Sequence, residues 1–272
     1  MLLRILTYNI RRGGKGHETA LAAVIRSCEP DIVVLQEATS VESVERIAGE
    51  AGMAQWGARK GESLGFLSRR RVHDFGWNKP RISRHAFLEI RPAETDMRVF
   101  GVHLSAVHAA WTESRRVVEL RALLKAIAQY QTGFHALTGD FNTLAPGELL
   151  DFSKLPGRLR ALVWMSGGKV RWRTIQIVLD AGYVDAYRST HTVPGYTFPT
   201  WEPHVRLDYF FVLQRDAARL RSCEIMDVPG ARDASDHLPL LSIVDVPERA
   251  GAAVSTAQRA PGLGDFDGDD DC

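Results

Sequence analysis

The sequence predicts an α/β fold in which two mixed β-sheets pack as a sandwich with helices outside. Three observations lead there. Short apolar runs bounded by turn residues recur along the chain, and stretches with apolar residues at helical spacing separate some of them. The runs also outnumber the helical stretches, so several neighbouring runs have no helix between them. A simple doubly wound sheet requires a crossover, usually a helix, between parallel neighbours, and that pattern is missing.

The elements follow in order. Leu2–Tyr8 is the first apolar run; Leu21, Val24, Ile25 and Cys28 then repeat at helical spacing before the run Ile32–Leu35. Thr39 and Glu42 have capping-box spacing and predict a helix through Val44, Ile47 and Ala51. Leu64–Leu67 and Val99–Leu104 read as strands. Thr112 is placed to cap a longer helix whose inner face is Val117, Leu120, Leu124 and Ile127. After the strand His135–Thr138, a helix through Ile175, Val178 and Leu179 stops at Gly182, a residue suited to a left-handed terminal turn. Leu207–Val212 and Leu238–Val244 are the last strands.

One domain, residues 1–247, accounts for this pattern, and 272 residues at 45% hydrophobic can bury a full core. Residues 248–272 turn to Ala, Gly, Ser and Pro and end in Asp265-Phe-Asp-Gly-Asp-Asp-Asp-Cys272. That composition predicts a disordered acidic tail; the closing glutamate of a calcium loop is missing. The 34 basic and 33 acidic residues nearly cancel, which excludes a global pull towards nucleic acid or membrane and leaves only local patches. Cys28, Cys223 and Cys272 are too scattered for a disulfide framework or a thiolate metal site. No apolar run approaches the ~20 residues that span a bilayer. The expectation is a cytoplasmic protein with no stable membrane anchor.

Five polar clusters stand where an apolar strand meets a loop: Thr7-Tyr8-Asn9, Leu35-Gln36-Glu37, Gly139-Asp140-Phe141-Asn142, Arg206-Leu207-Asp208-Tyr209 and Ser235-Asp236-His237. His103, closing its strand, is a sixth candidate. Strand ends are rigid yet can face solvent, as converging functional side chains must. These residue types suit cleavage of a phosphate ester. A hard cation that neutralises the phosphate takes oxygen ligands, which Glu37 and Asp236 supply; Asn9 adds a neutral oxygen or a hydrogen bond to one of them. Asp140 can orient water and take its proton, and Asn142 can hold that water or a phosphate oxygen. His237 or His103 can donate to developing charge, with Asp208 behind His237 to fix its tautomer.

Taken singly, most of these residues have a plainer reading. Asn9 suits a turn, Glu37 a helix dipole, Gly139-Asp140 a turn, and Ser235-Asp236 a cap. His103 suits a satisfied core histidine, and Arg206 with Asp208 a structural ion pair on one strand face. Six such clusters all at strand ends are not explained by turns.

In this order the clusters resemble the endonuclease/exonuclease/phosphatase superfamily. It includes pancreatic-type deoxyribonucleases, exonuclease III-type apurinic endonucleases, neutral sphingomyelinases and inositol polyphosphate 5-phosphatases. The resemblance runs from about Leu3 to Val244, and Gly139-Asp140-Phe141-Asn142 and Ser235-Asp236-His237 are its most specific parts. It implies a four-layer α/β/β/α sandwich with the site at one edge of the sheets. It further implies Mg²⁺, or Mn²⁺, held by Glu37 with Asn9 and Asp236, and water oriented or deprotonated by Asp140. Asn142 would contact the phosphate, and His237, held by Asp208, would stabilise the transition state or the leaving group. His103 matches a histidine of the deoxyribonuclease and sphingomyelinase branches. The aspartate that apurinic endonucleases carry two residues after the first asparagine is replaced here by Arg11. Tyr196-Thr-Phe-Pro-Thr-Trp-Glu-Pro203 is similar to a bacterial subgroup.

Two basic stretches bear on the substrate. Lys154, Arg158, Arg160, Lys169, Arg171 and Arg173 are interleaved with Trp164 and Trp172, and suit either a phosphodiester strand or an ordinary solvated surface with core tryptophans. Arg11, Arg12 and Lys15 stand among Gly13, Gly14 and Gly16 in a loop expected to be flexible. The expected partner is a phosphate ester, with DNA or RNA as candidates, and the expected enzyme is a phosphodiesterase or nuclease. A phospholipid or inositol-phosphate hydrolase of the same fold is the first alternative. A non-catalytic binding module is the second.

Overall fold

The structure is a computed structural model that describes residues 1–81, 83–105, 110–148 and 172–249. Among the described residues, twelve strands form two six-stranded sheets. The first sheet orders β11(Leu220–Ile225), β12(Leu240–Asp245), β1(Leu2–Asn9), β2(Ile32–Gln36), β4(Leu64–Ser68) and β3(Gln55–Gly57). The second orders β5(Val72–Asn78), β6(Phe87–Pro92), β7(Arg98–His103), β8(His135–Asp140), β10(Asp208–Leu213) and β9(Tyr183–Asp185). Among these twelve strands, β1–β2 and β7–β8 pair in parallel and the other neighbours antiparallel. This is the expected sandwich of mixed sheets.

Side-chain alternation makes the layers. In β1 and β2, Leu3, Ile5, Ile32 and Val34 turn inward and pack against Leu88, Ile90, Val99, Phe210 and Val212 of the other sheet. Leu6, Tyr8, Val33 and Leu35 turn outward beneath helices α1(Glu18–Cys28) and α2(Val41–Ala51). Phe100, Leu137, Tyr209 and Phe211 face out from the second sheet, under α3(Ala110–Ile127) and the helix Arg173–Asp180. Three apolar cores thus separate the four layers, and Leu144, Val205 and Leu207 form a further small cluster among the described residues.

Several local expectations shift. Ser40, not Thr39, caps α2, its side chain accepting from Ser43 N. In α3 the core residue is Leu123, while Leu124 is only half-buried; Thr112 lies outside the described side chains. The helix ending before Gly182 stops at Asp180, and Gly182 takes φ 85° as foreseen. Cys28 and Cys223 are buried and unpaired. Of the basic stretch, only Trp172 and Arg173 are described, and Trp172 is 39% exposed rather than core. Its other members, like residues 250–272 of the tail, lie outside the described residues. Glu248 bridges to Thr95, and the Arg249 guanidinium pairs with Asp96. Among the described residues no helix is long and apolar enough to cross a membrane.

Candidate active site

Strand direction gathers the polar clusters at one edge. The parallel strands β1, β2, β7 and β8 end there, carrying Asn9, Glu37, His103 and Asp140. The antiparallel strands β10 and β12 begin there, so Asp208 pairs in register with Asp140 and Leu240 with Thr7, bringing Asp236 and His237 alongside. Backbone geometry at the rim is specific. Gly139 takes φ 146°, and a Cβ built there would lie 1.9 Å from Val102 O, so only glycine lets β8 run beside β7 before Asp140. Glu37 takes φ 57° and Asn142 φ 53°. For glutamate this left-handed conformation is unfavourable, and contacts hold it in place: Arg12 N donates to Glu37 Oε2 at 2.6 Å.

Asp140 is the hub. Its Oδ2 accepts from Asn9 Nδ2 at 3.0 Å, and its Oδ1 accepts from Asn142 N at 2.8 Å. The Nε2 atoms of His237 and His103 each stand 3.9 Å from the same Oδ2. Those separations exceed a hydrogen bond, so two imidazole nitrogens face the carboxylate without being consumed by it. His237 Nδ1 is 2.8 Å from Asp208 Oδ2, while Asp208 Oδ1 is buried with no hydrogen-bond partner. His103 Nδ1 makes a close contact with Ser63 Oγ, and the His103 ring stacks on His85 with centroids 4.8 Å apart.

Burial and charge compete over these groups. Burial foremost, then the like charge of Asp208, pushes the Asp140 carboxyl up to about 7, against the pull of His237 and its two hydrogen bonds. Burial acts the other way on His237, but Asp208, with its hydrogen bond, and Asp140 outweigh it and lift the ring to about 10. His237 is therefore a buried imidazolium between two carboxylates. Burial, helped by His85, His237 and Arg84, pushes His103 down to about 3, so that ring is neutral.

On the other flank, Asn9 Nδ2 also reaches Glu37 Oε1 at 3.4 Å, and Asn9 Oδ1 accepts from Arg11 N. Ser235 Oγ donates to Asn9 O at 2.7 Å, which holds Asp236 beside the end of β1. The Arg11 guanidinium lies 3.3 Å from Asp236 Oδ2. The loop after Asn9 is packed: Gly13 and Gly14 are buried against Thr39, Ser40, Leu21 and Ile47.

Four carboxylates (Glu37, Asp140, Asp208, Asp236) thus face one edge against the cations His237 and Arg11. An excess of hard oxygen donors at a site for an anion fits a divalent cation. By distance alone, Asp140, Asp208 and His237 also form a group able to hold a metal, their ligand atoms lying within 4.8 Å of one another. With Nδ1 on Asp208, His237 has only Nε2 to offer a metal, whereas the half-buried Glu37 and Asp236 offer carboxylate oxygens, which hard cations prefer.

All eight residues expected from the sequence lie at this edge, but Asn142 among them, and Arg206 outside them, are held differently from the expectation. Arg206 does not pair with Asp208; it is fully buried between Asp185 and Glu148, with its Nη2 2.5 Å and 2.6 Å from their oxygens. Asn142 Nδ2 donates to Leu104 O at 3.0 Å, tying the ends of β7 and β8 together. Sequence reasoning missed Ser63, His85 and Glu119. Glu119, buried on α3, accepts from Ser105 N, Ser105 Oγ and Arg84 N, and so clamps the loops beside His103 and His85. The signal for Ser63 was its place just before the strand antiparallel to β2, one residue from the level of Gln36.

No curated protein sequence matches the chain. Solved structures share its fold. An endonuclease/exonuclease/phosphatase from Beutenbergia cavernae has a TM-score of 0.67 at 20% identity, covering 90% of this chain and 72% of that one. An AP endonuclease from Archaeoglobus fulgidus has 0.63 at 20%, covering 90% and 100%. A 3'-5' exonuclease from Neisseria meningitidis has 0.62 at 18%, covering 89% and 100%. The family model for the Endonuclease/Exonuclease/phosphatase family matches residues 6–237, from the start of the Thr7-Tyr8-Asn9 cluster to His237. The chain belongs to the Endonuclease/Exonuclease/phosphatase family and is a hydrolase of phosphoric ester bonds.

Proposed function

We propose that the chain is a divalent-metal-dependent phosphodiesterase of the nuclease type, in which water attacks phosphorus directly with no covalent enzyme intermediate. The observation that carries this reading is Asp140 Oδ2, held by Asn9 and faced by His237 and His103 at 3.9 Å each. A phosphate there would meet a base, an imidazolium and a neutral imidazole together.

Each residue then has one task. Asp140 orients the attacking water and takes its proton; a carboxylate whose affinity for a proton is raised by burial is a stronger base than one in solvent. His237, kept charged by Asp208, donates to the phosphoryl oxygens or the leaving oxygen as negative charge builds there. Neutral His103 adds a second donor through Nε2, with Ser63 fixing Nδ1. With one amide hydrogen on Leu104 O, Asn142 keeps a second that would be free to donate to a phosphate oxygen. Glu37, Asn9 and Asp236 would hold Mg²⁺ or Mn²⁺. Bound there, the cation neutralises the substrate and polarises the phosphoryl group. Asn9 braces Glu37 and Asp140 with its nitrogen in the present amide orientation, and exchange of its oxygen and nitrogen would present a ligand.

The test is hydrolysis of bis-p-nitrophenyl phosphate, p-nitrophenyl phosphate, plasmid DNA and sphingomyelin, each with Mg²⁺, Mn²⁺ or chelator, beside Asp140→Asn. Metal-dependent cleavage of the diester and DNA, lost in the variant, supports the proposal. Cleavage of only the monoester or the lipid counts for the alternative hydrolases, and no turnover on any substrate counts for a binding module.

A further inference from the structure

Trp201 is 67% exposed, the most exposed large hydrophobic side chain among the described residues, yet it stands on a rigid loop against the catalytic edge. Thr200 N donates to Asp236 O at 3.0 Å, and Thr200 Oγ1 donates to Ser235 O at 2.9 Å. Leu238 N donates to Thr197 O at 2.8 Å. Residues 197–200 are thus fastened on both sides of His237. The Phe198 ring lies 4.8 Å from the His237 ring, and Trp201 meets Phe198 edge to face at 6.2 Å. The indole is therefore one ring removed from the imidazolium. An indole normally contributes by being covered, and here most of it stays in water while its loop is held.

We propose that Trp201 is the platform on which an unpaired nucleobase of the substrate stacks, next to the phosphate that is cleaved. The proposal rests on the phosphodiesterase reading and deepens it by naming the substrate class: a nucleic-acid strand single-stranded at the site. Arg11 lies against Asp236, and Thr200 holds the same residue from its other neighbour, so guanidinium and indole flank one short loop. A cation beside an aromatic face that accepts any base is a pairing used in sequence-tolerant single-strand binding. A membrane contact fits less well. Trp201 stands between buried Thr200 and exposed Glu202, whereas interfacial binding grows with the apolar area inserted.

The experiment measures binding of a labelled oligothymidylate, and of an equally long strand lacking bases, in Mg²⁺. The proteins are Asp140→Asn and the same chain with Trp201→Ala or Trp201→Phe added. The proposal predicts that Trp201→Ala weakens binding of the base-bearing strand by about 5–100-fold and leaves the abasic strand nearly unchanged. Trp201→Phe should recover most of the loss. Equal weakening of both strands, or of neither, overturns the proposal. So does a loss confined to sphingomyelin–phosphatidylcholine vesicles, whose binding is measured beside that of the two strands. Turnover is read separately: a wild-type protein that binds oligothymidylate in this pattern but never cleaves it counts against the hydrolytic reading, not against Trp201.

Discussion

His237 Nδ1 lies 2.8 Å from Asp208 Oδ2, and both side chains are buried. Burial alone would leave the imidazole neutral; the carboxylate keeps it charged to about pH 10. Asp208→Asn preserves shape and an acceptor but removes that charge. The His237 pKa then falls, and the alkaline limb of the kcat/KM–pH profile moves to lower pH. Loss of the charged donor should also lower kcat near pH 8 by about 10²–10⁴-fold. An alkaline limb that stays in place would separate His237 from catalysis.

Asp140 carries a stability consequence opposite in sign to that of an ordinary ion-paired carboxylate, whose pKa is lowered on folding. Its carboxyl is raised from 3.8 to about 7 in the fold, so the ionised form is disfavoured there. In metal-free protein, the stability associated with this group is full below about pH 4 and declines as pH rises to about 7, because the unfolded chain gives up the proton more readily. Asp140→Asn has no such slope. Without divalent metal, the variant should melt a few °C above wild type near pH 8, and the gap should close near pH 4; about 1 kcal/mol corresponds to roughly 2–4 °C in a domain of this size. Thermal melts with chelator at both pH values check this.

Much of the fold was legible in the sequence, for an identifiable reason. Strands β1, β2, β4, β7, β8, β10 and β12 are buried on one or both faces and read as apolar runs. The strands that escaped are edges, short pieces or interrupted runs. In β5 and β11 exposed residues are mixed with half-buried ones and the apolar run is lost; such edges carry charge against unwanted pairing. β6 is broken in sequence by Glu89 and Arg91, and Glu89 pairs across the strands with Arg98. Missing β6 concealed His85, which sits just before it. The eight expected site residues stood out as a set, because turns, caps and ion pairs account for such residues singly but not for six polar clusters at the ends of apolar runs. Glu119 was not, since a glutamate on a helix reads as solvated until the fold turns it inward.

Glu119 tests that hidden support. It holds three donors from the loops of His103 and His85, and Glu119→Ala leaves them buried without their acceptor. A loss of about 1–3 kcal/mol is expected, with reduced kcat even where the protein remains folded. Glu119→Gln retains an acceptor and should recover part of both. Urea denaturation and steady-state rates of the two variants provide the comparison.

Glu37 lies half-buried beside Asn9. If it is the principal cation ligand, Glu37→Gln raises the Mg²⁺ concentration giving half-maximal rate by at least about 10–100-fold. The rate at saturating metal should fall less. Metal titration at fixed substrate separates this from a role in proton transfer, which would lower the plateau and leave the midpoint unchanged.

The central claim, an imidazolium poised over Asp140 in a metal-dependent hydrolase, is tested most directly by the rate of bis-p-nitrophenyl phosphate hydrolysis by wild type and His237→Ala across one Mg²⁺ titration. The account predicts no turnover with chelator, Mg²⁺-dependent turnover in wild type, and a plateau lower by about 10²–10⁴-fold in the variant. Full activity of folded His237→Ala, or wild-type turnover unaffected by chelator, would contradict it.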